Sequence, residues 1–425
     1  MPPISPRLIL AAVISLFISA CDGESAPPET AATEVVVASI ELMSAPCDAR
    51  LHDSGGVLYV IMRKDCLTPA SQVISFQERA GATTRGYSVE FPGWNVTMEI
   101  PFAAAGAREI TFFESGTWRE IPNQNSWQPR DGGGLLIKDG VAYLLGGWLH
   151  GPVTNEVWRS SNLVDWEFLG FAPWPPRHGS AWLMHHGRMF VIGGDMIDDV
   201  WSSADGVTWR ADKIAAPFGK RYTPNAVSIG RRIIVYAGLR WLPNDWCERG
   251  QLDCTVEGLN DVWQSTDDGR TWERIVEQAP WPGRGLIHGS IVHDGEIFLI
   301  GGGLKVVPSG QDYSETAAEM TDIWSSPDGR SWTQRASTLP FPGRTHFSVA
   351  ETSFGCVVSD GSVGSQDNVS NNLYIAPDCL NFVELPDAPL PMRHASAVKE
   401  FNGTLVILGG PPAGGAGTAI WQYVP

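Results

Sequence analysis

The chain is short of helical signal, of positive charge and of long apolar runs. Beyond the N-terminus, none of its 425 residues belong to a stretch that keeps apolar side chains at a helical period, so helices are excluded as the main building element. Lysine and arginine number 30 against 47 aspartates and glutamates, a formal net charge of −17. That balance argues against nucleic acid and against electrostatic adhesion to anionic lipid. No CxxC or HxxxH spacing is present, so no metal centre is expected. Nucleophile elbows, phosphate-cradling glycine loops and zinc-protease motifs are missing too, and no cofactor is implied. The acidic residues are too many and too scattered to mark a glycosidase pair.

What the chain has in quantity is turn formers and tryptophan. Its 46 glycines, 31 prolines and 18 tryptophans point to many tight turns between short aromatic strands. The one long uncharged stretch near the start, Leu8 to Ala20, has 13 residues, follows Arg7 and ends in Ile18-Ser19-Ala20-Cys21. It is too short to span a bilayer comfortably and suits a signal-peptide core over residues 1–20. The closing four residues resemble the bacterial lipoprotein box, which implies export and a lipid on Cys21; an ordinary secretory signal is the other reading. Asp22 resembles the residue that holds some Gram-negative lipoproteins in the inner membrane. The expectation is a bacterial envelope protein that faces the periplasm and meets the membrane only through its lipid. Residues 21–34 then form a flexible tether.

Six further cysteines suit an oxidising compartment. Sequence neighbours suggest Cys47–Cys66, Cys247–Cys254 and Cys356–Cys379, with metal binding as the runner-up. Residues 35–113 contain short apolar runs such as "EVVVASIELM", "GVLYVIMR" and "NVTMEIPF", broken by turns. They suggest a small immunoglobulin-like β-sandwich.

From residue 116 a repeat takes over. Each unit opens on a proline-rich linker and an arginine: "NSWQPR", "APWPPR", "APFGKR", "APWPGR", "LPFPGR" and "APLPMR". Two strands follow, the second ending in a glycine pair or its counterpart, as in "VAYLLGG" and "EIFLIGG". A Val/Ile-Trp strand, an Asp-Gly turn and a second tryptophan complete the unit, as in "NDVWQSTDDGRTW". The turn predicts a hairpin, stapled by its two aromatic residues. This pattern resembles the kelch repeat of galactose oxidase-like propellers, which implies an all-β fold of six four-stranded blades over residues 116–425. "STDDGRTW" also resembles the Asp-box of sialidases, a structural turn, although a sialidase arginine motif is not visible. The sixth unit stops at "IWQY", and the missing strand lies upstream as "SGTWREIP". The expectation is a ring closed by that N-terminal strand.

The recurring arginines are Arg130, Arg177, Arg221, Arg284, Arg344 and Arg393, each 16 residues before its glycine-pair position, or 17 for Arg284. By resemblance they would line the central mouth and take a carboxylate bidentately. The other reading pairs them within the blade to Glu156, Asp199, Asp261 and Asp322, each just before Val/Ile-Trp. Blades five and six carry Asn372 and Ala419 there instead. In-blade pairing would therefore leave Arg344 and Arg393 for an anion, with His346 and His394 beside them. His178, His288, His346 and His394 sit at offsets +1, +4, +2 and +1 from their arginines. Strand alternation predicts divergent rings bonded to blade backbones rather than to a metal. Two insertions carry Trp241, Trp246 and Tyr313; their tryptophans either stack on sugars or cover the blade edge. The functional expectation is a binding protein for a glycan, an acidic small molecule or an envelope protein. The alternative is an exported sugar-modifying enzyme similar to the kelch sialic acid epimerases.

Overall fold

The computed structural model describes residues 117–121, 127–242, 255–306, 316–353, 355–364, 368–385, 390–410 and 420–424, together with eight backbone strands within residues 1–116. The chain divides into two compact units between Gly116 and Thr117. In the first unit the eight strands form two four-stranded antiparallel sheets. One sheet includes Leu10–Phe17, within the run read above as an export signal, paired with Val35–Met43 and Glu109–Phe112. Cys21, Asp22, Cys47 and Cys66 lie outside the described residues.

The second unit is a six-bladed β-propeller. Blade one runs from Gly134 to Phe171, blade two from Ala181 to Lys213, and blade three from Asn225 to Val276. Blade four spans Ile291 to Ala336 and blade five Phe347 to Glu384. Blade six takes three strands from Ala397 to Val424, and its fourth is Thr117–Ile121. The ring therefore closes with an upstream strand, as the truncated sixth repeat predicts. Ile420 faces Ile121, and the Trp118 ring lies 5.2 Å from that of Tyr423. The first strands of neighbouring blades pack on one another around the whole ring and wall a central channel.

Polarity along each blade follows from this geometry. A second strand has a neighbouring blade on each face, so both of its sides need apolar residues. "RMFVI", "RIIVY" and "EIFLI" are accordingly buried at every position after the first. An outermost strand faces solvent, and "EFLGF" and "TQRA" are mostly exposed. Linker tryptophans Trp174 and Trp281 are fully buried between blades. Truncating such a ring to alanine costs about 3–5 kcal/mol.

The repeated hairpin phrase folds as a hairpin, but its two tryptophans do not staple each other. In blade two, Trp201 faces Ala211 while Trp209 faces Ser203. Trp209 instead packs edge-on against the linker ring of Trp174, and Trp332 against Trp281. The turn is held by its own polar residues. Asp205 accepts the N–H groups of Val207 and Thr208 at 2.9 and 2.7 Å, and Ser203 Oγ accepts that of Gly206 at 2.8 Å. Burial alone would raise the Asp205 pKa, yet these donors outweigh it and hold the carboxyl below its ordinary value. Asp267 and Asp328 repeat the arrangement.

Candidate binding site at the propeller mouth

All six recurring arginines are buried, none more than 2% exposed. One Nη of each donates to the carbonyl at its own glycine-pair position: Gly146, Gly193, Ala237, Gly301, Asp360 and Gly409. The constant spacing in sequence is therefore the span of one hydrogen bond that closes the end of a second strand. The linker ring three residues earlier lies 5.2–5.9 Å from the guanidinium in the pairs with Trp127, Trp174, Phe218 and Phe341.

In blades one to four a carboxylate completes this nest. Glu156, Asp199, Asp261 and Asp322 accept from Arg130, Arg177, Arg221 and Arg284 at 2.7, 2.9, 3.2 and 3.1 Å. Each carboxylate also accepts the indole N–H two residues on, from Trp158, Trp201, Trp263 and Trp324. The acid-Val/Ile-Trp phrase is thus one hydrogen-bonding unit, and four of the arginines are in-blade structural partners.

Blades five and six solve the same problem differently. Arg344 lies over the rings of Phe341 and Tyr374, at 5.2 and 4.9 Å. The Asn372 amide turns away to Glu384. Arg393 donates to the carbonyls of Pro391 and Gly409 at 3.2 and 3.0 Å, and burial pushes its pKa down to about 10. Ala419 lies outside the described residues. Asp360, at the glycine-pair position of blade five, is buried and accepts the N–H groups of Ser348 and Ser396 at 3.1 and 3.3 Å. Burial drives its pKa up to about 7, against the pull of the Ser396 bonds and the Arg393 charge. Neither Arg344 nor Arg393 presents its guanidinium to solvent.

The residue two after each arginine forms a belt. Gly132, Gly179, Thr223, Leu286, His346 and Ala395 all have left-handed φ, between 46 and 61°. Each N–H reaches the preceding blade. Gly132 donates to Ala395, Gly179 to Gly132, Thr223 to Gly179, His346 to Leu286 and Ala395 to His346, all at 2.6–3.0 Å between backbone groups. Leu286 donates to the Thr223 hydroxyl at 2.8 Å. This circle of hydrogen bonds ties all six blades together at one end of the channel. Further along, the channel holds a cavity of about 270 Å³ whose walls include Trp182, Ser228, Ser290, Glu351 and Lys399.

Around the belt the side chains form two arcs. Across blades one to three run Trp148, His178, Tyr222 and Trp241, with successive rings 6.5, 5.3 and 5.6 Å apart. His150 is exposed, its ring tilted at 42° and 4.9 Å from that of Trp148. Across blades four to six run His288, His346 and His394, at 6.4 and 6.0 Å. His394 Nε2 reaches Asp131 of blade one at 3.3 Å. The prediction of divergent histidines is corrected here: the left-handed belt residues break strand alternation and gather the rings. Their polar partners also differ from the expected backbone groups, since His178 and His394 meet carboxylates. Burial pushes the His288 pKa down to about 3, with Asp131 opposing and His178 and His394 adding to the shift.

One constellation went unnoticed in the sequence. Asp195 lies 2.8 Å from His178 Nδ1, and His178 Nε2 lies 3.1 Å from the Tyr222 hydroxyl. Asp195 and Met196 both have left-handed φ, 45 and 57°, which places that carboxylate over the mouth. Nothing in "GGDMIDD" announces such backbone.

The two insertions leave the glycine pairs as hairpins, Leu239–Leu242 with Thr255–Gly258 and Gly303–Val306 with Thr316–Glu319. Trp241 is buried in a cluster with Met196, Tyr222, Leu239 and Leu286, so it backs the mouth wall. Trp246, Cys247, Cys254 and Tyr313 lie outside the described residues. Cys356 and Cys379 form the expected disulfide, with Cα atoms 5.0 Å apart.

No family model and no curated protein sequence matches the chain. Among solved structures it is similar to YjhT, with a TM-score of 0.52 and 15% identity, over 72% of this chain and 96% of that one. At this identity the likeness shows the fold alone.

Proposed function

We propose that this chain is an exported binding protein whose propeller mouth takes a glycan. The observation that carries the reading is the pair of arcs around the belt. Trp148 and His150 offer ring faces for sugar stacking, while Asp195, Tyr222 and His394 offer hydrogen bonds to hydroxyls. An acidic small molecule or an envelope protein is a weaker fit, because the guanidinium groups that would attract it sit behind the surface. The kelch resemblance, the lipid on Cys21, residence in the bacterial envelope and the inner-membrane reading of Asp22 belong to the same proposal. Metabolic labelling with a fatty-acid probe tests the anchor: label on wild type and none on Cys21→Ser supports it.

The ligand is tested by screening glycans and acidic metabolites for thermal stabilisation, then by measuring the affinity of any hit. Trp148→Ala is expected to weaken a glycan about tenfold, the equivalent of a stacking contact near 1.4 kcal/mol. A hit bound equally well by wild type, Trp148→Ala and His394→Ala overturns the assignment of the mouth.

A second reading is favoured by the Asp195–His178–Tyr222 geometry. A carboxylate that fixes an imidazole tautomer, with the other ring nitrogen on a phenol, is a competent proton-transfer arrangement. It supports a sugar-modifying enzyme such as an epimerase. Turnover of a bound sugar that is lost in His178→Gln and Tyr222→Phe would establish it. A ligand recovered unchanged from wild-type protein would remove it.

A further inference from the structure

A second constellation lies away from the mouth, on the turns at the seam of blades two and three. His185 ends the first strand of blade two, His186 opens the turn that follows it, and Asp268 lies in the Asp-Gly turn of blade three. Asp268 Oδ1 lies 3.4 Å from His185 Nε2 and 2.9 Å from His186 Nδ1. The two imidazole rings are 3.8 Å apart. His186 and Asp268 have left-handed φ of 46 and 58°, so both turns are bent in a way that brings these groups together.

The environment of His185 singles the cluster out. The side chain is buried, and its Nε2 makes no hydrogen bond. Its other nitrogen lies 2.7 Å from the Ser228 hydroxyl of blade three. The contact admits two arrangements: with Nδ1 donating to that hydroxyl, the Nε2 lone pair faces a carboxylate oxygen and a cation between them relieves the contact, whereas with the hydroxyl donating to Nδ1, the Nε2–H points at Asp268. Outer hydrogen bonds of this kind fix the orientation of metal-bound histidines. The three candidate donor atoms lie within 4.8 Å of one another. Bonds of about 2.0–2.2 Å to a tetrahedral ion put donors roughly 3.3 Å apart, and the two Asp268 distances, 3.4 and 2.9 Å, bracket that edge.

We propose that His185, His186 and Asp268 bind a divalent ion of the zinc class, with a fourth position open to solvent. Two imidazoles and one carboxylate suit such an ion, and the side chains of His186 and Asp268 are 46% and 31% exposed, which gives it an entry path. The ion joins two turns 82 residues apart and pins the blade-three hairpin to blade two. A β-carbon on Gly269, beside Asp268, would lie 2.9 Å from Val200, which shows how closely the blades meet there.

The test titrates metal-stripped, purified full-length chain with Zn²⁺ and with Co²⁺. Zn²⁺ is expected to raise the melting temperature of wild type and to leave His186→Ala and Asp268→Asn unmoved. Co²⁺ is expected to give visible d–d absorption without a thiolate charge-transfer band, lost in the same two variants. Both altered side chains are partly exposed, which keeps the folded reference intact. Ser228→Ala, which touches no metal, is expected to weaken Zn²⁺ about 10- to 100-fold by releasing His185. If neither ion binds wild type, or if His186→Ala and Asp268→Asn bind as tightly as wild type, the three groups are a hydrogen-bonded pair of turns and the proposal fails.

Discussion

The backbone N–H of Ala395 donates to the carbonyl of His346 at 2.6 Å, and both residues sit at left-handed φ. For a non-glycine residue that conformation costs roughly 1–2 kcal/mol. Four of the six belt positions accept it: Thr223, Leu286, His346 and Ala395. The belt is a strained element held by closure of the ring. Gly179 is one of the two positions without a side chain, and a β-carbon there would lie 2.9 Å from the Tyr222 ring. Gly179→Ala is therefore expected to destabilise the propeller by about 1–3 kcal/mol. Urea unfolding checks this, and an unchanged midpoint would count against the belt as described.

Two buried arginines in different nests should respond differently to removal. Arg177→Ala leaves Asp199 buried without its cation, and breaking such a pair costs about 3–5 kcal/mol. Among the described residues Arg393 makes no ion pair, only a longer-range attraction to Asp360, and its loss mainly orphans two carbonyl groups, about 1–3 kcal/mol. Chemical denaturation of both variants should rank Arg177→Ala as clearly the worse. The opposite ranking would mean that the ion pairs contribute little.

Acidity acts on the propeller in two senses. Asp205, Asp267 and Asp328 titrate below their ordinary value in the folded chain, so their turn bonds stabilise at neutral pH and are lost as pH falls through their folded pKa. Asp360 has the reverse sign. Its folded pKa of about 7 exceeds the ordinary 3.8, so its contribution is fully present below 3.8 and is lost as pH rises towards 7. Asp360→Asn should flatten the stability profile between those values and raise the melting temperature at pH 8 relative to wild type. Thermal melts across that range decide it, and a profile parallel to wild type would contradict the assignment.

Closure by the upstream strand predicts a sharp boundary. A chain beginning at residue 117 retains the Trp118–Tyr423 contact and is expected to fold cooperatively. One beginning at residue 122 leaves Ile420–Val424 as an unpaired edge and should aggregate or melt at lower temperature. Similar melting curves for the two would show that the strand is dispensable.

Much of this architecture was legible because the repeat spells it out. The linker aromatic, the arginine, the paired glycines and the Val/Ile-Trp phrase recur in register, and the gap after Trp421 pointed to Trp118. The belt was not legible, since nothing in the identities of Leu286, His346 or Ala395 encodes positive φ. Without it, alternation sent His288, His346 and His394 apart when they in fact converge. The arginines were correctly grouped, but their depth depends on packing by Trp174, Phe341 and Tyr374, which spacing alone does not reveal. His185, His186 and Asp268 escaped because their proximity exists only once two blades are side by side.

The zip between Thr117–Ile121 and Ile420–Val424 also bears on biogenesis. A ribosome makes the two partners some 300 residues apart, so the earlier one emerges long before its mate exists. Until Ile420–Val424 has been made, blade six lacks strands and the circle stays open, with a bare edge offered to any passing chain. Premature termination anywhere downstream of the fifth blade should therefore yield insoluble product rather than a smaller working ring.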